Sequence, residues 1–220
     1  AYYHRAGPLG SLLALREAGR PIRRAAVIGL GVGTMAAYAR PGEAWSFLEI
    51  DPAVIRVASD SRWFRFLADA PPGVVEVLQG DGRLRLGELP AGSLDLLVVD
   101  AFSSDAIPVH LLTREAVALY RSRLRPDGWL VLHVSNRYLD LEPVVAALAE
   151  DGGWSGRTMD DTEEEGPPGK EPSHWIVLAP APEALGALAR RSSWVPLRRE
   201  PGVRVWTDQR SSVLQAFEWR

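Results

Sequence analysis

The sequence lacks cysteine entirely. Its 220 residues therefore cannot form disulfide bonds, thiolate zinc sites or iron–sulfur clusters, and they provide no cysteine nucleophile. Lysine is nearly absent as well, because Lys170 is the single lysine among 25 basic residues. A Schiff-base mechanism would have to use that one amine, which follows an acidic segment rich in glycine and proline. These two absences exclude thiol chemistry and leave one candidate for imine chemistry.

Two further absences concern partners and location. No apolar run approaches the length of about 18 residues that a membrane-spanning helix needs. The net charge is −3, so the basic excess of proteins that bind nucleic-acid phosphates is missing, and we expect no nucleic-acid partner. The sequence begins Ala-Tyr-Tyr-His-Arg, with neither an initiator methionine nor a signal-peptide pattern. We therefore expect a piece of a longer or processed chain.

The composition and the pattern of apolar residues predict an α/β fold. Hydrophobic residues make up 46% of the chain and charged residues 24%, as in ordinary globular proteins. Over the first two-thirds, strand-like runs alternate with helical patterns, which is typical of a mostly parallel sheet with helices on both faces. The predicted strands are 25–30, 45–50, 74–78, 94–99 and 129–134. One helix is expected to start at 35, one to cover 52–67 with a break as an alternative near 59–61, and others to cover 83–89, 113–124 and 141–150. We expect a lead-in segment over 1–20 and one domain over 21–220.

The last third of the chain has a different character. Residues 160–169 are acidic and rich in proline and glycine, and they predict a solvated loop. A strand over 174–178, a helix over 182–191 and a final strand over 203–206 are expected to follow. The four histidines do not have metal-ligand spacing, and no metal site is predicted. His133 lies in a predicted strand and is interpreted as a core histidine, whereas His110 is expected to contact a loop or cap a helix.

The first candidate binding motif is a glycine-rich turn after the first predicted strand. Gly29, Gly31 and Gly33 would let the backbone turn tightly and approach a ligand at a helix N-terminus, although a plain turn also fits this motif. Glu49 ends the second predicted strand, where a carboxylate can accept both hydroxyls of a ribose. Asp51 is expected to cap the helix that follows.

Carboxylates also follow the third and fourth predicted strands. Asp81, next to Gly82, can accept a hydrogen bond from an adenine amino group or cap a helix. Asp100 ends the central strand, at the edge where open α/β sheets place ligands. Two hydroxyls and another carboxylate follow it: Ser103, Ser104 and Asp105. A glycine-rich turn followed by acidic groups at three successive strand ends fits S-adenosyl ligands on a class I methyltransferase fold better than it fits NAD.

These motifs together resemble the spermidine/spermine synthase family of polyamine aminopropyltransferases. The similarity is carried by residues 29–33, 49–51, 80–83 and 100–108. Residues 133–141 and 205–208 resemble the bacterial subgroup fused to a transporter-like membrane segment, and residues 2–5 resemble the segment that precedes the nucleotide-binding domain in the family. The resemblance implies a class I S-adenosylmethionine-dependent methyltransferase-like (Rossmann-like) fold. It further implies a homodimer and a cytoplasmic location, with a membrane segment in the full-length protein as an open alternative.

The resemblance also implies an activity and roles for individual residues. The activity is aminopropyl transfer from decarboxylated S-adenosylmethionine to an amine such as putrescine, without a metal. In this pattern Glu49 binds the ribose, Asp81 the adenine, and Asp100 accepts the proton. Asp105 is the second catalytic aspartate, although the spacing from Asp100 is wider than in the family. The residues implied to bind the amine substrate are Tyr3, His4, Ser103 and Ser104.

One departure from the family pattern keeps other functions open. Val32 occupies the position at which the synthases carry an aspartate that holds the aminopropyl ammonium. Intact S-adenosylmethionine is therefore a competing co-substrate, and a small-molecule methyltransferase is the alternative enzyme. A non-catalytic domain that senses nucleosides or polyamines is the third hypothesis.

Overall fold

The computed structural model describes residues 2–15, 21–101, 108–136, 139–162, 166–212 and 216. Within these ranges eight strands form one sheet, in the order β3-β2-β1-β4-β5-β7-β6-β8. The strands are β1 (Arg24–Ile28), β2 (Ala44–Glu49), β3 (Val75–Gln79), β4 (Leu94–Val99), β5 (Leu124–His133), β6 (Ser155–Asp161), β7 (Ser173–Ala179) and β8 (Val195–Pro196). The five strands β1 to β5 run parallel to one another, whereas β6, β7 and β8 are antiparallel to their neighbours.

Helices cover both faces of this sheet, as the alternating pattern predicted. The α-helices are α1 (Pro8–Leu13), α2 (Pro52–Ser59), α3 (Gly82–Glu88), α4 (Arg114–Arg123) and α5 (Glu142–Asp151). α3, α4 and α5 contribute to one buried apolar cluster, and α1 and α2 contribute to the other. β1 and β4 lie between the two clusters, so nearly all of their residues are buried. The prediction of a central strand over 94–99 is thus confirmed.

The N-terminal segment is part of this core. Leu9, Leu12 and Leu13 of α1 are at most 3% exposed and pack in the same cluster as β1 and β4. The predicted boundary at residue 20 falls in 16–20, outside the described residues. Within the described ranges, none of the helices is both long enough and apolar enough to cross a bilayer.

Three predicted helices are shorter or of another type in the structure. The helix expected over 52–67 ends at Ser59, where the alternative of a break near 59–61 is confirmed. The helices expected at 35 and over 182–191 are 3-10 helices, Thr34–Tyr38 and Pro182–Arg190. The second of these kinks at Gly186, which has a positive φ of 54°. The loop predicted from residue 160 begins later, because β6 was missed and extends to Asp161.

The strand predicted over 203–206 is wrong. Trp206 is 2% exposed, so the apolar pattern correctly indicated burial. Its carbonyl oxygen accepts a hydrogen bond from the backbone N–H of Arg114, at the beginning of α4. The segment therefore packs on a helix end instead of extending the sheet, and a two-residue period cannot distinguish these outcomes.

Candidate active site

The register of the parallel strands brings four chemically distinct residues to one edge of the sheet. Ile28 lies opposite Leu48 in β2 and Val99 in β4. Val99 in turn lies opposite Leu132 in β5. The residues that follow these four lie side by side at the carboxyl edge: Gly29, Glu49, Asp100 and His133. This edge is where open α/β sheets bind ligands.

Gly29 lets the chain turn directly against the end of β4. It has a positive φ of 100°, and a side chain there would place its Cβ 2.3 Å from the carbonyl oxygen of Asp100. Gly31 and Gly33 also have positive φ, and Gly33 precedes the short 3-10 helix. The three glycines of the predicted turn are therefore all in conformations that other residues rarely adopt. The turn passes close to Asp100, as a binding loop at this edge must.

Glu49 is a buried carboxylate that is held by the glycine turn. It is 8% exposed, and its Oε2 accepts a hydrogen bond of 3.0 Å from the backbone N–H of Leu30. Oε1 accepts a second hydrogen bond of 2.8 Å from the backbone N–H of Asp51. A carboxylate has about four acceptor sites, so two remain for hydroxyl donors. Asp51 itself caps α2 through the N–H of Ala53, as predicted.

Asp81 caps a helix, which is one of the two roles that its position allowed. Its Oδ1 accepts a hydrogen bond of 3.0 Å from the backbone N–H of Leu84, which caps α3. Its Oδ2 lies 3.5 Å from Nε2 of His110, which is the loop contact expected for that histidine. Gly82 packs so tightly on β1 that an added Cβ would lie 2.4 Å from Cγ2 of Ile28. Asp81 is thereby held beside the end of β1.

Asp100 is the centre of a buried hydrogen-bonded group. Its side chain is 7% exposed, and its Oδ2 accepts a hydrogen bond of 2.7 Å from the hydroxyl of Tyr3. Its Oδ1 lies 2.8 Å from Nδ1 of His133. Burial, followed by the charge of Asp100 and the hydrogen bond to it, raises the pKa of Tyr3 far above its usual value. Tyr3 is therefore a neutral donor at every physiological pH.

His133 is the residue that the sequence interpretation placed in the core without a role. It is buried, but it contacts the candidate base and stacks on Trp175 with ring centroids 4.2 Å apart. Its Nε2 lies 2.8 Å from Oγ of Ser135. One sequence signal could have indicated this role for His133: it is a single polar residue at the end of an apolar strand, next to the strand that Asp100 follows.

The other predicted substrate residues are not all brought to this group. Ser103, Ser104 and Asp105 lie outside the described residues. His4 uses its Nδ1 to accept a hydrogen bond of 3.1 Å from the backbone N–H of Ala6, within its own turn. Across the described ranges, no three carboxylate, imidazole or thiolate groups converge as they would around a metal ion.

Ser135 also lines an acidic cavity of about 740 Å³. Its carboxylates belong to Asp140, Glu142, Asp160, Asp161 and Glu200. Burial raises the pKa of Glu142, but hydrogen bonds from His174 and Thr158 outweigh it and hold the pKa below its usual value. Asp161 forms an ion pair of 2.8 Å with Lys170, the single lysine. The remaining carboxylates give this cavity a negative potential that favours cations.

The chain is similar in sequence to a known enzyme over about half of its length. No family model matches the chain. The chain is 34% identical over 113 residues to the polyamine aminopropyltransferase of Vibrio vulnificus (strain CMCP6). This match covers 49% of the chain and 36% of the relative, so the chain spans little more than a third of that protein.

Solved structures match over most of the chain. A probable spermidine synthase from Corynebacterium glutamicum has a TM-score of 0.61 and 19% identity, covering 86% of this chain and 73% of its own. Human methyltransferase-like protein 13, in complex with SAH, has a TM-score of 0.58 and 20% identity, covering 91% and 93%. The fold is the class I methyltransferase-like α/β fold. The fold expectation is thereby confirmed, with the addition of an antiparallel edge.

Proposed function

We propose that this chain is the catalytic domain of a polyamine aminopropyltransferase-like transferase. The observation that carries the proposal is the buried Asp100, held by Tyr3 and aligned with Gly29 and Glu49 on the ligand-binding edge. The reaction moves an aminopropyl group from the sulfonium of decarboxylated S-adenosylmethionine to an amine nitrogen. The similarity to the Vibrio vulnificus enzyme supports this reaction over others on the same fold.

The chemistry requires a neutral amine, and a carboxylate can supply it. An alkyl amine resembles lysine, with an ordinary pKa of about 10.4, so it is protonated in neutral water. Asp100 accepts a proton from the amine and directs the nitrogen lone pair towards the carbon next to sulfur. The C–S bond breaks as the C–N bond forms, and methylthioadenosine leaves as the neutral thioether. Glu49 and Asp81 hold the ribose and the adenine of the nucleoside in this arrangement.

The acidic cavity supports a polycationic acceptor such as putrescine. A chain of methylene groups with an ammonium at each end can place one nitrogen at Asp100 and the other among the carboxylates. Ser135 connects the two places, because it lines the cavity and lies 2.8 Å from His133, which in turn contacts Asp100. The negative potential of the cavity attracts and orients such an amine.

A methyltransferase acting on a small molecule is the second candidate. Val32 gives the aminopropyl ammonium no carboxylate at the position that the synthase pattern uses. The similar structure of human methyltransferase-like protein 13 was solved in complex with SAH, which supports an S-adenosyl ligand as the alternative. Under this alternative, Asp100 would accept a proton from a different nucleophile while a methyl group is transferred.

Calorimetry with three ligands separates these functions. We expect decarboxylated S-adenosylmethionine and methylthioadenosine to bind more tightly than S-adenosylmethionine, and putrescine to release methylthioadenosine from the first. Preference for S-adenosylmethionine would favour the methyltransferase instead. Nucleoside binding without turnover across a panel of di- and polyamines would favour a sensing domain.

The finer features of the resemblance remain predictions. They are a cytoplasmic location, a homodimer and membership of the subgroup fused to a membrane segment. Light scattering of the purified chain tests the dimer, and the reading frame upstream of the first residue tests the membrane segment.

A further inference from the structure

The residue with the least explained chemistry is His133. A merely structural core histidine needs partners for its two nitrogens, and any polar groups would serve. Here one partner is Asp100, which we propose as the base, and the other is Ser135. The inference below rests on the proposed function, because it assigns His133 a task in the same reaction.

The partners of the two ring nitrogens, Asp100 and Ser135, indicate where the proton of His133 lies. The backbone N–H of His174 donates to Oγ of Ser135 at 2.8 Å, so this oxygen already accepts one hydrogen bond. The hydroxyl hydrogen of Ser135 is then free to point at Nε2 of His133, 2.8 Å away. With Nε2 accepting, the neutral imidazole carries its proton on Nδ1, which faces the Asp100 carboxylate at 2.8 Å. The opposite tautomer would aim an Nδ1 lone pair at a carboxylate.

The imidazole is also fixed in its plane. Trp175 is fully buried and stacks on it at an interplanar angle of 6°. Tyr2 covers it from another direction, with ring centroids 5.2 Å apart. The Nδ1–H vector towards Asp100 is therefore set by packing as well as by hydrogen bonding.

We propose that His133 is a positioning residue that donates its Nδ1–H to Oδ1 of Asp100 and thereby fixes the rotation of the carboxylate. Tyr3 donates to Oδ2, so the two donors hold both oxygens and leave the other lone pairs for the amine. Ser135 acts one step further away, because its hydroxyl selects the tautomer of His133. A carboxylate held in this way needs no reorientation when it accepts the proton.

The tautomer can be measured without any substrate. In protein labelled with 15N at histidine and held at about pH 8, above the ordinary histidine pKa of about 6.5, we expect the His133 ring to carry a proton on Nδ1. Its signals are identified by their loss in His133→Asn. A ring protonated only on Nε2 would overturn the inference whether or not the protein transfers aminopropyl groups. In Ser135→Ala the Nδ1–H form should decline, since Nε2 loses its donor.

Kinetics then tests the consequence, with two variants of similar size. His133→Asn keeps an N–H near the position of Nδ1, whereas His133→Leu removes it. We expect kcat to fall about 10- to 100-fold in the leucine variant, with KM changed less than about threefold, and to recover largely in the asparagine variant. Equal kcat in the two variants, at matched melting temperatures, would contradict a positioning role.

The two experiments separate the two proposals. An Nδ1–H tautomer in a wild-type protein without aminopropyl transfer would count against the proposed function and in favour of the Asp100–His133 geometry. If the leucine variant does not fold, Ser135→Ala replaces it, with a several-fold loss of kcat expected and unchanged kcat as the contrary result.

Discussion

The two halves of the candidate site are assembled in different ways. The half proposed to bind the nucleoside, the nucleoside half, consists of Gly29–Gly33, Glu49 and Asp81, which lie at or just after strand ends within residues 29–81. The half proposed to bind the acceptor, the acceptor half, consists of Tyr3 near the N-terminus, Asp100 directly after β4 and His133 at the end of β5. The Tyr3 hydroxyl reaches Asp100 across 97 positions of sequence. Local strand–turn–helix motifs thus form the first half, and tertiary packing forms the second.

The sharpest test of this division is the loss of the base. Asp100→Asn keeps the shape of the side chain but cannot accept a proton. We expect kcat to fall by about 100- to 10,000-fold, the usual contribution of a general base, while nucleoside binding changes little. Turnover is measured as methylthioadenosine release. Asp127→Asn is the matched control, because Asp127 is exposed and lies at the opposite end of the sheet. Near wild-type turnover in Asp100→Asn would remove Asp100 from the mechanism.

The nucleoside half makes the complementary prediction. Glu49→Gln keeps one acceptor oxygen but loses the charge that the ribose hydroxyls would meet. We expect affinity to fall about tenfold or more for every ligand that carries a ribose, with kcat at saturation altered much less. Calorimetry with methylthioadenosine and both forms of S-adenosylmethionine measures this. Glu76→Gln on β3, which accepts a hydrogen bond from Ser46, is the control. Loss of only one of the three ligands would contradict the ribose assignment.

The local conformations in the nucleoside half could be predicted from the sequence, because each of them needs only local information. A glycine that adopts a positive φ, a carboxylate at a strand end and a capping aspartate can each be predicted from a short stretch of sequence, or sequence window. The same windows could not predict that His133 contacts Asp100, since that requires the strand order and the register. Nor could they distinguish a strand from the segment that carries Trp206, because both bury alternate side chains.

A smaller effect is expected from the donor on the other carboxylate oxygen. Tyr3→Phe removes the hydroxyl that donates to Asp100 but keeps the ring, which contacts Trp175. We expect kcat to fall about tenfold, the loss of one hydrogen bond to a charged group, because His133 still holds the other oxygen. Tyr38→Phe is the control, since the Tyr38 hydroxyl donates a hydrogen bond to the backbone oxygen of Tyr3 and so holds the same N-terminal segment. Equal losses in both variants would mean that the N-terminal segment has simply become loose.

The smallest predicted effect concerns the contact that ties the C-terminal segment to the nucleoside half. Two hydrogen bonds from Arg83 and one from Thr113 lower the pKa of Asp208 to about 2, against an ordinary 3.8. A lowered pKa stabilises the fold above pH 3.8, and this contribution is lost as the pH falls towards 2. Because Asp208 is 41% exposed, solvent screens the contact, and Asp208→Asn should lower Tm at pH 7 by only about 2–4 °C.

The pH dependence of that variant distinguishes the charge from the packing of Trp206. The difference in Tm between wild type and Asp208→Asn should shrink as the pH is lowered from about 5 towards 2, since the wild-type carboxyl then becomes neutral as well. Glu88→Gln, whose exposed ion pair with Arg85 lies on the same helix as Arg83, should change Tm by much less. A difference that stays constant down to pH 2 would show that the asparagine disturbs the packing of the segment instead of its charge. In that case the packing of the C-terminal segment, and not the charge of Asp208, would tie it to the nucleoside half.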